Sequence, residues 1–201
     1  MEKRNDLREL IEMHGKMRIA LDLIESCKEF ASMVPEVRTN LVYAREYAQS
    51  RDDVLAIDGR ITVVNGMPHA AGNPRFGVSS HMARLLLELR RRDTAVRAGI
   101  NFASNPSLVV WLNEYCRMKG WVFSVIDRGN EPEEVQVAEG ASMPWKAAEA
   151  IREAGGRVPD LFYETGAVGK EPVTVLVGRD PISVVNEMIS LTLAYQRGRP
   201  P

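Results

Sequence analysis

With 201 residues, 45% hydrophobic and 26% charged, the sequence has the composition of a globular protein long enough to bury one substantial core. Its 26 basic and 27 acidic residues leave a net charge of −1, which excludes a general electrostatic drive toward nucleic acid. Two cysteines and three histidines argue against a disulfide framework and a multi-histidine metal centre, and no apolar run approaches the roughly 20 residues of a membrane span.

The N-terminus, Met1 to Asp6, has no apolar segment of the secretory kind, so a cytoplasmic protein is expected. From about Asp6 to Ser32 the pattern is helical: Leu7, Leu10, His14, Met17, Leu21 and Ile24 recur at alternating spacings of three and four. Asp6 is the candidate cap and Pro35 the stop. His14 falls inside the stripe and reads as a packed core or interface histidine. The apolar stripe is compatible with a homodimer.

Short strand signals follow: Val37 to Tyr43, Val54 to Ile57 before the Asp58-Gly59 turn, and Ile61 to Val64 before Asn65-Gly66. Met67 to Arg75, rich in Gly, Pro and Asn, reads as a loop. It leads into Phe76-Gly77-Val78-Ser79-Ser80-His81-Met82-Ala83-Arg84. Here Ser79 or Ser80 is expected to cap a helix whose buried stripe is Met82, Leu85, Leu86 and Leu89. His81 and Arg84, three apart beside that stripe, can face one target, and a helix N-terminus favours an anion. Taken alone, a capped surface helix accounts for the same residues. Arg90-Arg91-Arg92 reads as a solvated helix end, where cations complement the dipole.

Further on, a strand is predicted over Ala98 to Phe102 and a helix from Asn105-Pro106 to Lys119, stopped by Gly120. Then come a strand over Trp121 to Ile126, a helix from about Pro144 to Ala154, and the segment Pro159 to Glu164. A glycine loop, a strand over Val173 to Val177 and a last helix opened by Asp180-Pro181 complete the pattern. Cys27 and Cys116 lie inside helical patterns as buried small hydrophobes. The whole chain, 1–201, is expected to form one domain: a helix over 1–33, a body over 34–196 and a frayed tail over 197–201. Hairpins early and strand–helix alternation later predict an α/β fold, a three-layer α/β/α domain with a mixed sheet.

No nucleophile elbow, zinc helix or dinucleotide fingerprint is present. Gly166 to Pro172 is not a Walker A loop, because no Ser or Thr follows Lys170 and Pro172 blocks the helix. Loop acids, namely Asp127, Glu131, Asp160, Glu164 and Glu171, are of the type that holds Mg²⁺, although each alone is an ordinary solvated acid. Arg60, Ser79, Ser80, His81, Arg84 and Lys170 together point to a site for a phosphorylated ligand; the residues alone do not name it.

Several ordered segments resemble one family, the ThiN-type thiamine-phosphate synthases. They are Pro35-Glu36-Val37 with Asn40 and Tyr43-Ala44, Asp53-Val54, Gly59-Arg60-Ile61, Phe76 to Arg84, and Asp127-Arg128 with Glu131-Pro132. Pro159-Asp160, Gly166, Gly169-Lys170-Glu171-Pro172 and Gly178-Arg179-Asp180-Pro181 follow. The resemblance implies a largely antiparallel mixed sheet like that of the class II aldolases (AraD-like). It also implies coupling of hydroxymethylpyrimidine diphosphate with thiazole phosphate to give thiamine phosphate and pyrophosphate, Mg²⁺ as cofactor, and no nucleic-acid or membrane partner. By the same resemblance Arg60 and His81 are the catalytic pair. From the residues themselves, Asn40, Ser79, Ser80, Arg84, Gly169 and Lys170 are the candidate substrate- or phosphate-binding residues, and the loop acids Asp127, Glu131 and Asp160 the candidate metal ligands. Asn101-Phe102-Ala103-Ser104 lacks the basic residue expected after its strand. The family also includes domains that sense thiamine phosphate in regulators carrying a DNA-binding module, and that binding role is the alternative. The long first helix and the lack of a helix-turn-helix favour the enzyme.

Overall fold

The computed structural model describes residues 2–138, 140–167, 169 and 171–198. Its centre is a seven-stranded sheet in the order β5-β2-β1-β6-β9-β8-β7. The strands are β1 (Leu41–Ala44), β2 (Val54–Ile57), β5 (Pro74–Phe76), β6 (Ala98–Ala103), β7 (Phe123–Ile126), β8 (Leu161–Glu164) and β9 (Val173–Gly178). Strands β3 (Ile61–Val64) and β4 (Met67–Ala70) form a separate hairpin. Every pairing is antiparallel except that of β7 with β8, so the sheet is mixed and largely antiparallel, as expected.

Alternation along the strands sorts the core into two layers, because successive side chains leave opposite faces of a sheet. Leu41, Tyr43, Leu55, Ile57, Ile100, Leu161 and Leu176 join one cluster with α1 (Glu2–Ser26), α3 (Pro106–Lys119) and α6 (Pro181–Gln196). Val42, Ala44, Val54 and Ala56 meet α2 (His81–Arg92) on the other face, where Phe162, Val175 and Val177 meet α2 and α5 (Ser142–Glu153). A short helix, α4 (Glu133–Val137), precedes α5. This is the three-layer arrangement. None of the described helices is long and apolar enough to cross a membrane.

Local chemistry explains the boundaries that match expectation. Asn105 accepts from Leu108 N–H and Pro106 opens α3, while Gly120 closes it in the left-handed region. Asp180 accepts from Ile182 and Ser183 N–H ahead of Pro181. The β3–β4 turn has Asn65 and Gly66 at φ 52° and 76°, the pattern that matches hairpin twist.

Four expectations need correcting. Helix α1 already includes Glu2, so Asp6 lies within it rather than capping it, and it ends at Ser26, where Cys27 turns extended and a 3₁₀ stretch, Lys28–Met33, follows. Its buried stripe is Met13, Met17, Ala20, Leu21 and Ile24, leaving His14 outward with its ring edge-on to Phe76 at 5.8 Å. The supposed loop over Met67 to Arg75 contains β4 and most of β5. Arg90 is buried, donating to the carbonyls of Thr94, Val96 and Glu46, so it stitches the helix end to two loops instead of solvating it. Both cysteines are buried, and burial pushes the Cys116 thiol up to about 12, leaving it an inert apolar group.

Candidate active site

A cavity of about 700 Å³ opens on the α2/α5 face, where β7 and β8 end and β9 begins. Its wall brings together Asn40, Arg60, Ser79, Ser80, His81 and Arg84 with Gly169, all expected at a phosphate site. Lys170 lies outside the described residues. Also lining it are Arg51, Asn101, Arg128 and Lys146, which were not among the expected site residues, and Glu164 and Glu171, two of the loop acids considered for Mg²⁺. Outside the ionic cluster of Arg128, Lys146 and Glu164, the cations Arg51, Arg60 and Arg84 against the carboxylate of Glu171 give the described wall a positive bias, the sign a phosphorylated ligand requires.

Arg60 follows Gly59 in a tight turn, with φ 72° and 70° at the two residues. A Cβ at Gly59 would lie 2.9 Å from that of Ala71, so the turn needs glycine for both conformation and space. The Arg60 guanidinium donates to the Val37 carbonyl, and Glu171 in turn accepts from the N–H groups of Glu36 and Val37. Glu171 thus fixes the arch that fixes Arg60. Beside it, Asn40 N–H donates to Asn101 Oδ1 at 2.8 Å, Asn40 Oδ1 accepts from Ile57 N–H, and Asn101 Nδ2 donates to the Arg38 carbonyl. Asn101 is therefore a stitching residue on the cavity wall, in the segment where a basic residue was expected.

His81 is the first residue of α2. Ser80 occupies the N-cap with φ −93° and ψ −60°, and its side chain makes no capping bond. The expected Ser79 or Ser80 cap does not form. Both serines border the cavity with His81 and Met82, the start of a helix whose first N–H groups lack intrahelical partners. His81 is exposed in the open cavity, yet surrounding protein lowers its pKa, first by desolvation and then by the charges of Lys146, Arg60 and Arg84, against an opposing pull from Glu164. A neutral imidazole at pH 7 follows. Arg84 makes no ion pair among the described residues.

The opposite wall holds a buried ionic quartet. Arg128 donates through Nε and Nη2 to Glu131 Oε2, at 3.0 and 2.6 Å, and through Nη1 to Glu164 Oε1 at 2.7 Å. Lys146 donates to the same Glu164 oxygen, and Ser142 to Glu131 Oε1 at 2.6 Å. Burial pushes the Glu131 carboxyl up, but the bonds from Ser142 and Arg128 outweigh it and hold the group below its usual range. Two cations and two carboxylates cancel, so this wall is polar without adding net charge.

The expected Mg²⁺ ligands do not converge. Glu131 belongs to the quartet, Asp160 accepts from Val122 N–H, and Asp127 caps a turn by accepting from Gly129 N–H. Among the described residues no group of three or more His, Cys, Asp or Glu is placed to hold a metal ion. Each carboxylate is tied to its own protein donor, and that separates them. These residues do not fit a protein-built magnesium site.

The thiamine-phosphate synthase ThiN family pattern matches residues 16–190. The thiamine-phosphate synthase ThiN of Methanothermobacter thermautotrophicus is 38% identical over 180 residues, which cover 90% of this chain and 92% of that protein. The chain belongs to the ThiN family. The bifunctional thiamine biosynthesis protein ThiDN of Methanocaldococcus jannaschii is 31% identical over 82% of this chain, and the match spans 37% of that longer protein. Among solved structures, the C-terminal domain of a phosphomethylpyrimidine kinase superposes with a TM-score of 0.81 at 34% identity, covering 92% of this chain and 99% of that domain. An L-fuculose 1-phosphate aldolase is a weaker likeness, with a TM-score of 0.43 at 12% identity. The ThiN pattern runs from within α1 to within α6 and so includes every strand of the sheet.

The quartet went unread in the sequence for an identifiable reason. Met143, Lys146, Ala147 and Ala150 share the buried face of α5, at the spacing of an apolar helical stripe. A lysine inside such a stripe needs a buried partner, and Glu164, on the inward-facing register of β8 with Phe162, supplies it. That mismatch was the available signal.

Proposed function

We propose that this chain is a thiamine-phosphate synthase. It joins the thiazole nitrogen of thiazole phosphate to the methylene of hydroxymethylpyrimidine diphosphate. A C–N bond forms, the C–O bond to the diphosphate breaks with its electron pair, and pyrophosphate departs. The ring nitrogen attacks with its own lone pair, so no general base is required. The task of the site is to hold two phosphorylated reactants together and to receive charge on the departing oxygen.

The observation that carries this reading is that Arg60 and His81, the two positions implied as catalytic, line one positively biased cavity. In it, Arg60 is held at one end by Val37, which leaves the rest of its fork for phosphate oxygens. His81, neutral at pH 7, donates a hydrogen bond to the leaving-group oxygen. Ser79, Ser80 and the first N–H groups of α2 bind phosphate oxygens, and Arg84 adds a cation that no described carboxylate neutralises. Asn40 and Gly169 complete the wall.

The test is to mix the purified protein with both phosphorylated precursors and Mg²⁺ and to follow thiamine phosphate and pyrophosphate. Arg60→Ala and His81→Ala are each expected to lower kcat/KM by about a hundredfold or more while leaving the melting transition intact. No wild-type turnover, together with tight thiamine phosphate binding, would replace this reading with the sensor role. Wild-type rates in both variants would remove the site assignment.

A further inference from the structure

Lys146 is an unusual group to find on the inner face of a helix. Its residue is 8% exposed, between Met143 and Ala147, yet it borders the cavity that contains Arg60 and His81. An ammonium carries three N–H donors. Among the described residues Lys146 has one acceptor, Glu164 Oε1, and that oxygen also receives Arg128. Arg128 spends its other bonds on Glu131, so one Glu164 oxygen is shared between two cations. Donors left over on a buried cation are costly unless a partner arrives. An anion in the cavity is such a partner, and the β6 end, at Asn101 to Ser104, supplies no cation of its own.

We propose that Lys146 is a substrate-contacting residue: held by Glu164, its ammonium donates to phosphate oxygens of the diphosphate-bearing reactant and of the pyrophosphate released. The inference rests on the synthase reading for the identity of the ligand. Glu164, Arg128 and Glu131 are positioning residues behind it. A charge fixed by a neutral quartet needs no reorganisation when the leaving group gains charge. The quartet therefore contributes one directed contact without raising the charge of the empty site.

The competing role is purely structural, with Lys146 present only to neutralise Glu164. Three proteins separate the two: wild type, Lys146→Met, and Lys146→Met combined with Glu164→Gln. The double variant removes both buried charges and restores a neutral wall. Inorganic pyrophosphate is titrated into each by calorimetry, with melting recorded in parallel. The double variant is expected to melt above the single variant but to bind pyrophosphate at least about tenfold more weakly than wild type, with KM for the diphosphate raised. Wild-type pyrophosphate affinity in the double variant would overturn the proposal. An independent reading uses the wild-type protein alone: pyrophosphate is expected to shift the Lys146 ammonium signal in ¹⁵N-lysine NMR, and an unmoved signal would also overturn it. Wild type that binds pyrophosphate through Lys146 without forming thiamine phosphate would sink the synthase reading and leave the contact standing.

Discussion

Replacing Arg128 with methionine isolates the quartet, because methionine keeps most of the side chain's volume and removes only the charge and its donors. The side chains involved are almost fully enclosed: Arg128 and Glu131 are 2% and 1% exposed, and Glu164 is 8% exposed. Removing one member of a buried pair costs about 3–5 kcal/mol, chiefly because the remaining charge is left unpaired. The low end applies here, since Lys146 still pairs with Glu164 and Ser142 still donates to Glu131. At roughly 2–4 °C per kcal/mol for a chain of this size, a loss of about 3 kcal/mol lowers Tm by roughly 6–12 °C near pH 7. The deficit should depend on pH with a definite sign. In the wild type the Glu131 carboxyl is held below its usual range, so its contribution is present above the ordinary glutamate pKa of about 4.3 and is lost as pH falls through the folded value. In the variant burial acts without the guanidinium, the carboxyl moves up, and protonation relieves it, so the gap between the two proteins narrows toward pH 5. Thermal and urea melts at pH 7.5 and 5 measure both quantities. A variant that melts with the wild type at both pH values would refute the reasoning, as would a gap that widens in acid.

Other outcomes follow from the same geometry. Gly59→Ala places an L-residue at φ 72° against Ala71, costing about 1–2 kcal/mol in a urea melt and lowering turnover by shifting Arg60; unchanged kinetics would detach that turn from function. The imidazole of His81, followed by NMR, should titrate below the ordinary histidine value of about 6.5, because desolvation by the surrounding protein and then Lys146, Arg60 and Arg84 disfavour its cation; a midpoint at or above that value contradicts the arrangement. Removing residues 1–26 strips Met13, Met17, Ala20, Leu21 and Ile24 from the α1/α3/α6 layer, so cooperative melting by circular dichroism should vanish; a sharp transition would show α1 to be an accessory.

Much of the fold is legible wherever local chemistry decides it. The strands Val54–Ile57 and Ile61–Val64 and the helix Pro106–Lys119 fall at the expected residues, because Gly59, Asn65-Gly66, Asn105-Pro106 and Gly120 leave the backbone little choice. What escaped depends on distant partners. Pro74 to Phe76 becomes a strand only because β2 offers an open edge, and the Gly72-Asn73-Pro74 run that leads into it argues for a loop until that edge is known. Arg90 looks like a solvated helix end until Thr94, Val96 and Glu46 present carbonyls to it. The same division runs through the candidate site. Arg60 and His81 sit in short distinctive segments, whereas the quartet joins residues up to 36 positions apart. The three acids expected to gather were judged by type, and type does not reveal that each already has a donor of its own.

The strand order has a consequence for how the molecule comes into being. Strand β9 is the last in the chain, yet it lies between β6 and β8 and is the element that joins Ala98–Ala103 to Leu161–Glu164. Until residues 173–178 leave the ribosome, the β5-β2-β1-β6 half and the β7–β8 pair share no strand pairing, and only the packing of α2 on α5 can bring them together. Arg60 and His81 follow the first half, while Lys146 and Glu164 follow the second. A nascent chain therefore carries two pieces of the cavity wall whose register in the sheet is set only near the end. Long-range closures of this kind are slow. Capacity to bind a phosphorylated ligand should accordingly emerge late and all at once, with completion of the sheet, rather than accumulate as the chain lengthens.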